Sequence, residues 1–125
     1  MSIKTEVEKY MSVLETSGDG VLTARFTFPG EFVGFQGHFP SGKVLPGVCQ
    51  IQCISSMLEK SGRPFLLKEI VSAKFLSPVL PSEEIVCSCS SPEHAGGDFV
   101  VKASVRKAGR VVAEFKLRGS SQVKE

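Results

Sequence analysis

The sequence lacks the features that mark several large classes of protein. Its 125 residues carry a formal net charge of only +2, whereas a nucleic-acid-binding domain normally shows a strongly basic stripe. No apolar run approaches the roughly 18 to 20 residues that a membrane span requires. The N-terminal segment MSIKTEVEKYMSVLE is interrupted by charges and lacks the apolar centre of a secretion signal. We therefore expect a cytoplasmic protein that binds neither nucleic acid nor membrane.

The chain has four cysteines, and their spacing does not favour a metal site. Cys49 and Cys53 lie four residues apart on a predicted helix, while Cys87 and Cys89 point the same way from a predicted strand. Zinc sites usually have tighter paired spacing, and a cytosolic chain keeps its thiols reduced. The sequence thus predicts four buried, inert thiols, and we expect neither a metal nor another cofactor.

The chain has neither an internal repeat nor a linker, and its 42% apolar content suits one packed core. We therefore predict a single domain over residues 1–125. Near the start, apolar residues recur at helical intervals and predict an N-terminal helix within residues 1–17, ending near Gly18; they are Ile3, Val7, Tyr10, Met11 and Leu14. At the other end, residues 119–125 are predicted to be a frayed tail.

Between these ends the pattern predicts one strand, an ordered loop, one long helix and four further strands. The first strand, 21–28, places Leu22, Ala24, Phe26 and Phe28 on one face. Residues 30–46 form the loop, and the helix runs from Pro46 to about Lys60, with Gly62 marking its end. The helix has an apolar stripe, made of Val48, Ile51, Ile54, Met57 and Leu58. The later strands are 68–78, 84–90, 98–107 and 110–118, the last two joined by a turn at Ala108 and Gly109. This order predicts an α+β fold in which an antiparallel sheet curls around the helix.

Two features that can support chemistry meet in the segment GHFP-SGKV-LPGV. His38 can exchange a proton near neutral pH. The helix start at Pro46 and Gly47 offers unpaired backbone N–H groups to a developing oxyanion, and Gly47 has no side chain to hinder a carbonyl. A base beside an oxyanion site is what removal of a proton next to a carbonyl requires. Each residue alone also has a purely structural interpretation, a loop hydrogen bond for His38 and a turn for Gly47.

On these motifs the sequence resembles the hot-dog-fold 3-hydroxyacyl-ACP dehydratases of fatty acid synthesis, including the aryl-polyene dehydratase-like branch. The run KEIVSAKFLSPVLPSEE and the hairpin GRVVAEFKL extend the similarity over about residues 20–118. The resemblance implies that His38 takes the proton alpha to the thioester and that the Gly47 N–H binds the carbonyl. It also implies an acyl carrier protein or another acyl thioester as partner, and a curved sheet around one helix. The expected assembly is a homodimer, or a multiple of dimers, whose interface holds the acyl chain. The candidates for substrate contact are Phe39, Pro40, Leu45, Pro46, Val48 and Gln50.

One position departs from the family pattern. Fourteen residues after the histidine the family carries Glu or Asp, contributed to the site by the partner subunit, and this chain has Gln52. An amide can orient a hydroxyl or a water but cannot act as a general acid. The aryl-polyene branch reads LPGV, one residue, then Gln, which Gln50 matches. Gln50 and Gln52 lie about 200° apart around a helix, so both cannot face one site. Either amide could instead satisfy buried backbone groups.

Three functions therefore remain open. A dehydratase would use His38 as base, Gly47 as oxyanion donor and Gln52 to hold the hydroxyl. A thioesterase would use the same oxyanion site, although the motif shows no carboxylate to activate water. A non-catalytic acyl-chain binder or accessory subunit would explain the missing acid.

Overall fold

The computed structural model describes residues 2–35, 43–63, 65–90 and 97–121. Helix α1 spans Ile3–Glu8 and helix α2 spans Gly47–Lys60. The six strands are β1 (Met11–Thr16), β2 (Val21–Thr27), β3 (Leu66–Phe75), β4 (Glu84–Ser90), β5 (Asp98–Lys107) and β6 (Arg110–Ser120). A short 3-10 turn, Val33–Phe35, precedes the undescribed residues 36–42. Neither helix in these ranges is long and apolar enough to cross a membrane.

The strands form one antiparallel sheet in the order β1-β2-β4-β5-β6-β3, and α2 packs on its inner face. The predicted alternation of the first strand is confirmed, because Leu22, Ala24, Phe26 and Phe28 are all buried. The predicted hairpin turn is confirmed as well. Ala108 and Gly109 adopt positive φ angles of 52° and 81°, as a two-residue turn matched to strand twist requires.

Helix α2 has ends that its sequence explains. Pro46 occupies the N-cap position rather than the first helical position that we predicted, and its carbonyl accepts the N–H groups of Cys49 and Gln50. At the other end Gly62 has φ 90°, and the Gly62 and Arg63 N–H groups donate to the carbonyls of Glu59 and Leu58. This pair of bonds is the glycine-dependent motif that ends many helices.

The predicted apolar stripe of α2 is correct at four positions and wrong at the fifth. Ile51, Ile54, Met57 and Leu58 are buried, but Val48 is 70% exposed. The buried side of the first turn is instead made by Cys49 and Gln50. Val48 therefore belongs to a surface of the protomer and not to its core.

The two predictions for the chain ends require correction. The N-terminal helix stops at Glu8, and residues 11–16 form β1, which pairs with β2. The frayed tail is wrong for Gly119 and Ser120, since both pair within the sheet as the end of β6. Residues 122–125 lie outside the described part of the chain. β3 also begins and ends earlier than predicted, at Leu66 and Phe75.

Candidate functional site

The start of α2 presents free backbone donors. Among the described residues neither the Gly47 nor the Val48 N–H has a backbone acceptor, as expected for the first positions of a helix. Gly47 is also closely approached by an aromatic ring: a Cβ atom placed on it would lie 2.7 Å from Cζ of Phe75. The helix start thus combines unpaired N–H groups with a position that only glycine fills without displacing its neighbour.

A cavity of about 480 Å³ opens at this helix start, and we name it the Gly47 groove. Residues 44–47 with Gln50 line one wall, and residues 75–78 line the other. Four of the predicted site residues therefore meet here, namely Leu45, Pro46, Gly47 and Gln50. The wall formed by residues 75–78 was not predicted as part of the site. Its sequence signal is an aromatic residue and a proline at a strand end, which the segment KFLSP contains.

Gln50 is the polar side chain buried in this groove. The residue is 3% exposed, and its Nε2 donates to the Leu45 carbonyl at 3.2 Å. The Leu45 N–H in turn donates to the Val79 carbonyl at 2.8 Å. The Gln50 Oε1 atom, however, is buried without a hydrogen-bond partner in the described structure. The amide is therefore held at one end and has an unused acceptor at the other.

Gln52 and Val48 lie on a different face of α2. They line a second cavity of about 380 Å³ between α2 and β3, which we name the Gln52 groove. The Gln52 Nε2 donates to Ser56 Oγ at 3.0 Å. Within one protomer the structure thus separates Gln52 and Val48 from Gly47 and Gln50, in agreement with the predicted angle between the two amides.

The described lining of the Gly47 groove contains donors and an acceptor but no ionisable side chain. Proton transfer at this groove therefore needs a group from elsewhere. The predicted base, His38, and its neighbours Phe39 and Pro40 lie outside the described residues, as does the only other histidine, His94. Their roles stay predictions.

The four cysteines do not supply a nucleophile. All are free and buried, which confirms the prediction of buried thiols. Burial raises the pKa of the Cys49 and Cys53 thiols and raises the pKa of Cys89 to about 12. The reactive thiolate form is consequently scarce at neutral pH.

With this geometry in place, comparison with known proteins assigns the family. Residues 14–116 match the ApeI-like family, described as ApeI dehydratase. The chain belongs to the ApeI-like family. That family covers most of the sheet and all of α2, so its extent agrees with the resemblance predicted over residues 20–118.

Curated relatives point the same way. The chain is 30% identical over 90 residues to the 3-hydroxyacyl-[acyl-carrier-protein] dehydratase FabZ of Granulibacter bethesdensis, a match covering 64% of this chain and 53% of that protein. It is 27% identical over 113 residues to FabZ of Streptococcus mutans, covering 84% of this chain and 80% of that protein. The ApeI-like chain thus spans about half the length of the first of these relatives.

A solved structure confirms the fold. The chain is similar to the dehydratase heterocomplex ApeI:P from Xenorhabdus doucetiae, with a TM-score of 0.75 and 18% identity over 88% of this chain and 96% of that chain. The predicted hot-dog fold, an antiparallel sheet around one long helix, is therefore correct.

Proposed function

We propose that this ApeI-like protein dehydrates 3-hydroxyacyl thioesters, carried on an acyl carrier protein, to trans-2-enoyl thioesters. The observation that carries the proposal is the Gly47 N–H at the start of α2, which has no backbone acceptor among the described residues and belongs to a residue that lines the Gly47 groove. The names of the curated relatives support both the reaction and the carrier-bound substrate.

The first step is binding of the thioester carbonyl at Gly47. Removal of the alpha proton places negative charge on the carbonyl oxygen, and the Gly47 N–H together with the positive end of the α2 dipole stabilises that charge. A side chain at position 47 would stand between the carbonyl and the backbone. Glycine is therefore the residue that the reaction requires there.

The second step is proton transfer by His38. The imidazole takes the alpha proton, the carbon–carbon double bond forms, and the bond to the beta hydroxyl breaks. His38 then returns the same proton to the departing hydroxyl, which leaves as water, so the enzyme ends the cycle unchanged. The described groove has no ionisable side chain that could take this role, and His38 precedes its first wall by only six residues.

A second subunit completes the proposed site. β3 is an edge strand of the sheet, and it exposes Ile70 (47%), Val71 (44%) and Phe75 (54%) beside the exposed Val48 of α2. A long apolar edge strand in a stable protein needs a cover. A second copy of this chain would supply one and would bring Gln52 towards the partner's Gly47 groove. The similar Xenorhabdus doucetiae structure is a heterocomplex, so a subunit of a different sequence is the alternative cover.

Mass spectrometry after incubation with a series of 3-hydroxyacyl thioesters tests the proposal. Loss of one water from the acyl chain is the expected result. Release of the free acid would identify a thioesterase instead. An unchanged substrate that still binds would identify the non-catalytic acyl-chain binder.

A further inference from the structure

We propose that Gln50 selects acyl chains that carry a beta hydroxyl, by accepting a hydrogen bond from that hydroxyl at Oε1. The inference rests on the proposed function, in that the Gly47 groove binds acyl thioesters. It adds a specificity-determining residue to that groove and assigns the hydroxyl to Gln50 of the protomer whose Gly47 holds the carbonyl.

The first support is the unused acceptor. A buried polar atom without a partner costs free energy, and in the described structure Gln50 Oε1 is such an atom. Gln50 is also one of the residues that line the Gly47 groove. A ligand that brings a donor to this atom would remove the cost, whereas a ligand without one would leave it in place.

The second support is the fixed orientation of the amide. Its Nε2 is engaged by the Leu45 carbonyl, and Leu45 is itself held by Val79. Rotating the amide would break the bond to Leu45, because a carbonyl oxygen cannot donate to another carbonyl. The free atom of Gln50 is therefore an acceptor, and it discriminates in favour of hydrogen-bond donors.

The third support is the position of Gln50 relative to Gly47. The two residues are three apart on α2, so they are neighbours on one face of the helix. The thioester carbonyl and sulfur are acceptors and cannot pair with Oε1. The one donor on the acyl part of a 3-hydroxyacyl thioester is its hydroxyl, two carbons from the carbonyl that Gly47 binds. The groove thus offers a donor for the carbonyl and an acceptor for the hydroxyl.

This assignment is compatible with the proposed chemistry. A hydroxyl has one hydrogen to donate and two lone pairs that can accept. When Gln50 Oε1 accepts the hydrogen bond from the hydroxyl, the lone pairs of the hydroxyl oxygen stay available. One lone pair can receive the proton that His38 returns, and the other can accept a hydrogen bond from Gln52 of the partner subunit. Gln50 itself transfers no proton.

The test compares the binding of two ligands. Both are acyl pantetheine amides of one chain length, one with the beta hydroxyl and one without; the amide replaces the thioester so that dehydration does not consume the ligand. We expect the native protein to bind the hydroxylated ligand at least about tenfold more tightly. In Gln50→Met, which keeps the side-chain length but removes the acceptor, the preference should disappear while the affinity for the deoxy ligand stays within about twofold of native.

Lys102→Met is the comparison variant, because it changes an exposed side chain on β5 that lines neither groove of α2, and it should retain the preference. Native-like binding of the deoxy ligand shows in each variant that the site is folded. A native protein without a preference, or a preference that survives in Gln50→Met, would overturn the inference. An equal loss of affinity for both ligands in Gln50→Met would overturn it too, since Oε1 would then bind the pantetheine arm or stabilise the fold.

The two proposals fail in different ways. A hydroxyl preference that depends on Gln50 without formation of enoyl product would contradict the dehydratase and leave the role of Gln50 standing. Enoyl product without any such preference would contradict the role of Gln50 alone.

Discussion

Gly47 shows at the scale of one residue why a helix start can become a reactive site. Its N–H is unpaired among the described residues, and the Phe75 ring occupies the space next to its Cα. The residue lies in the first turn of a helix and has an ordinary helical backbone. Glycine is therefore not needed there for backbone conformation, and its lack of a side chain matters for access to the groove. Activity and stability should therefore respond differently to a change at this position.

Gly47→Ala should lower the dehydration rate on the order of tenfold or more, because the methyl group crowds the carbonyl away from the oxyanion donors. The melting temperature should stay close to native, since Ala is the better helix former and the half-exposed Phe75 ring can turn aside. Steady-state kinetics and thermal melting check the two effects. Gly18→Ala is the matched control, because a Cβ there meets nothing within 4 Å. An unchanged rate in Gly47→Ala would remove Gly47 from the chemistry.

Gln52 is the residue at which the chain departs from the dehydratase pattern. Its groove is lined mainly by apolar side chains, among them Val48, Ile51 and Ile70, together with the ion-paired Lys4 and Glu59. Desolvation beneath a covering subunit would raise the pKa of a carboxyl there. Gln52→Glu should therefore raise the dehydration rate or leave it similar, and should add an acidic limb to the pH profile. Gln52→Ala should lower the rate. The reverse pattern, with Gln52→Ala neutral and Gln52→Glu inactive although folded, would place Gln52 outside the reaction.

At the scale of elements, β1 shows where reasoning from the sequence reaches its limit. Val13 has a positive φ of 54°, and the pairing with β2 shifts register between Ser12 and Leu14. This bulge adds one residue to the strand. Met11 and Leu14, both packed against the core, are therefore three residues apart instead of two. A spacing of three imitates a helix, and only the pairing with β2 distinguishes the two structures.

Elements with undisturbed periodicity were predicted to within a few residues. β4 and β5 have the predicted bounds, and α2 begins one residue after Pro46. The site residues that lie close together in the sequence were also predicted, and the distant ones were not. One continuous motif predicted Leu45, Pro46, Gly47 and Gln50, whereas the wall at residues 75–78 comes from a distant strand end that only tertiary packing brings close. Val48 was misplaced because the apolar stripe of a helix does not reveal which of its side chains the fold leaves exposed.

The core between α2 and β4 leads to a prediction about cysteine reactivity. Cys49 and Cys53 on α2 and Cys87 and Cys89 on β4 are buried, and burial raises the pKa of Cys49, Cys53 and Cys89. A thiol reagent applied at about pH 8 should label the native protein very slowly, and labelling should speed up only as the pH rises towards the raised pKa values. All four thiols should react at once in denaturant. Rapid native labelling would contradict the packing of this core.

At the scale of the whole molecule, the described structure leaves apolar side chains exposed along the edge strand β3 and on one side of α2, among them Ile70 and Val48. Light scattering at micromolar concentration should therefore give a dimer or a multiple of dimers. Ile70→Glu should shift the population towards monomer and lower activity, because it places a charge on this surface. Lys102→Glu, an exposed change on β5, should leave the assembly intact. A native monomer would contradict the shared site, and assembly only after addition of a different protein would point to a heterocomplex.

The most direct test of the proposed reaction is the rate of enoyl thioester formation in His38→Ala. We expect a loss on the order of a hundredfold or more, because no other proton-transfer group lines the described groove. The circular dichroism spectrum and the melting temperature should remain native. His94→Ala, a change at the chain's other histidine, should leave the rate unaffected. Turnover in His38→Ala within a few-fold of native would contradict the proposed mechanism, since His38 would then not be the base.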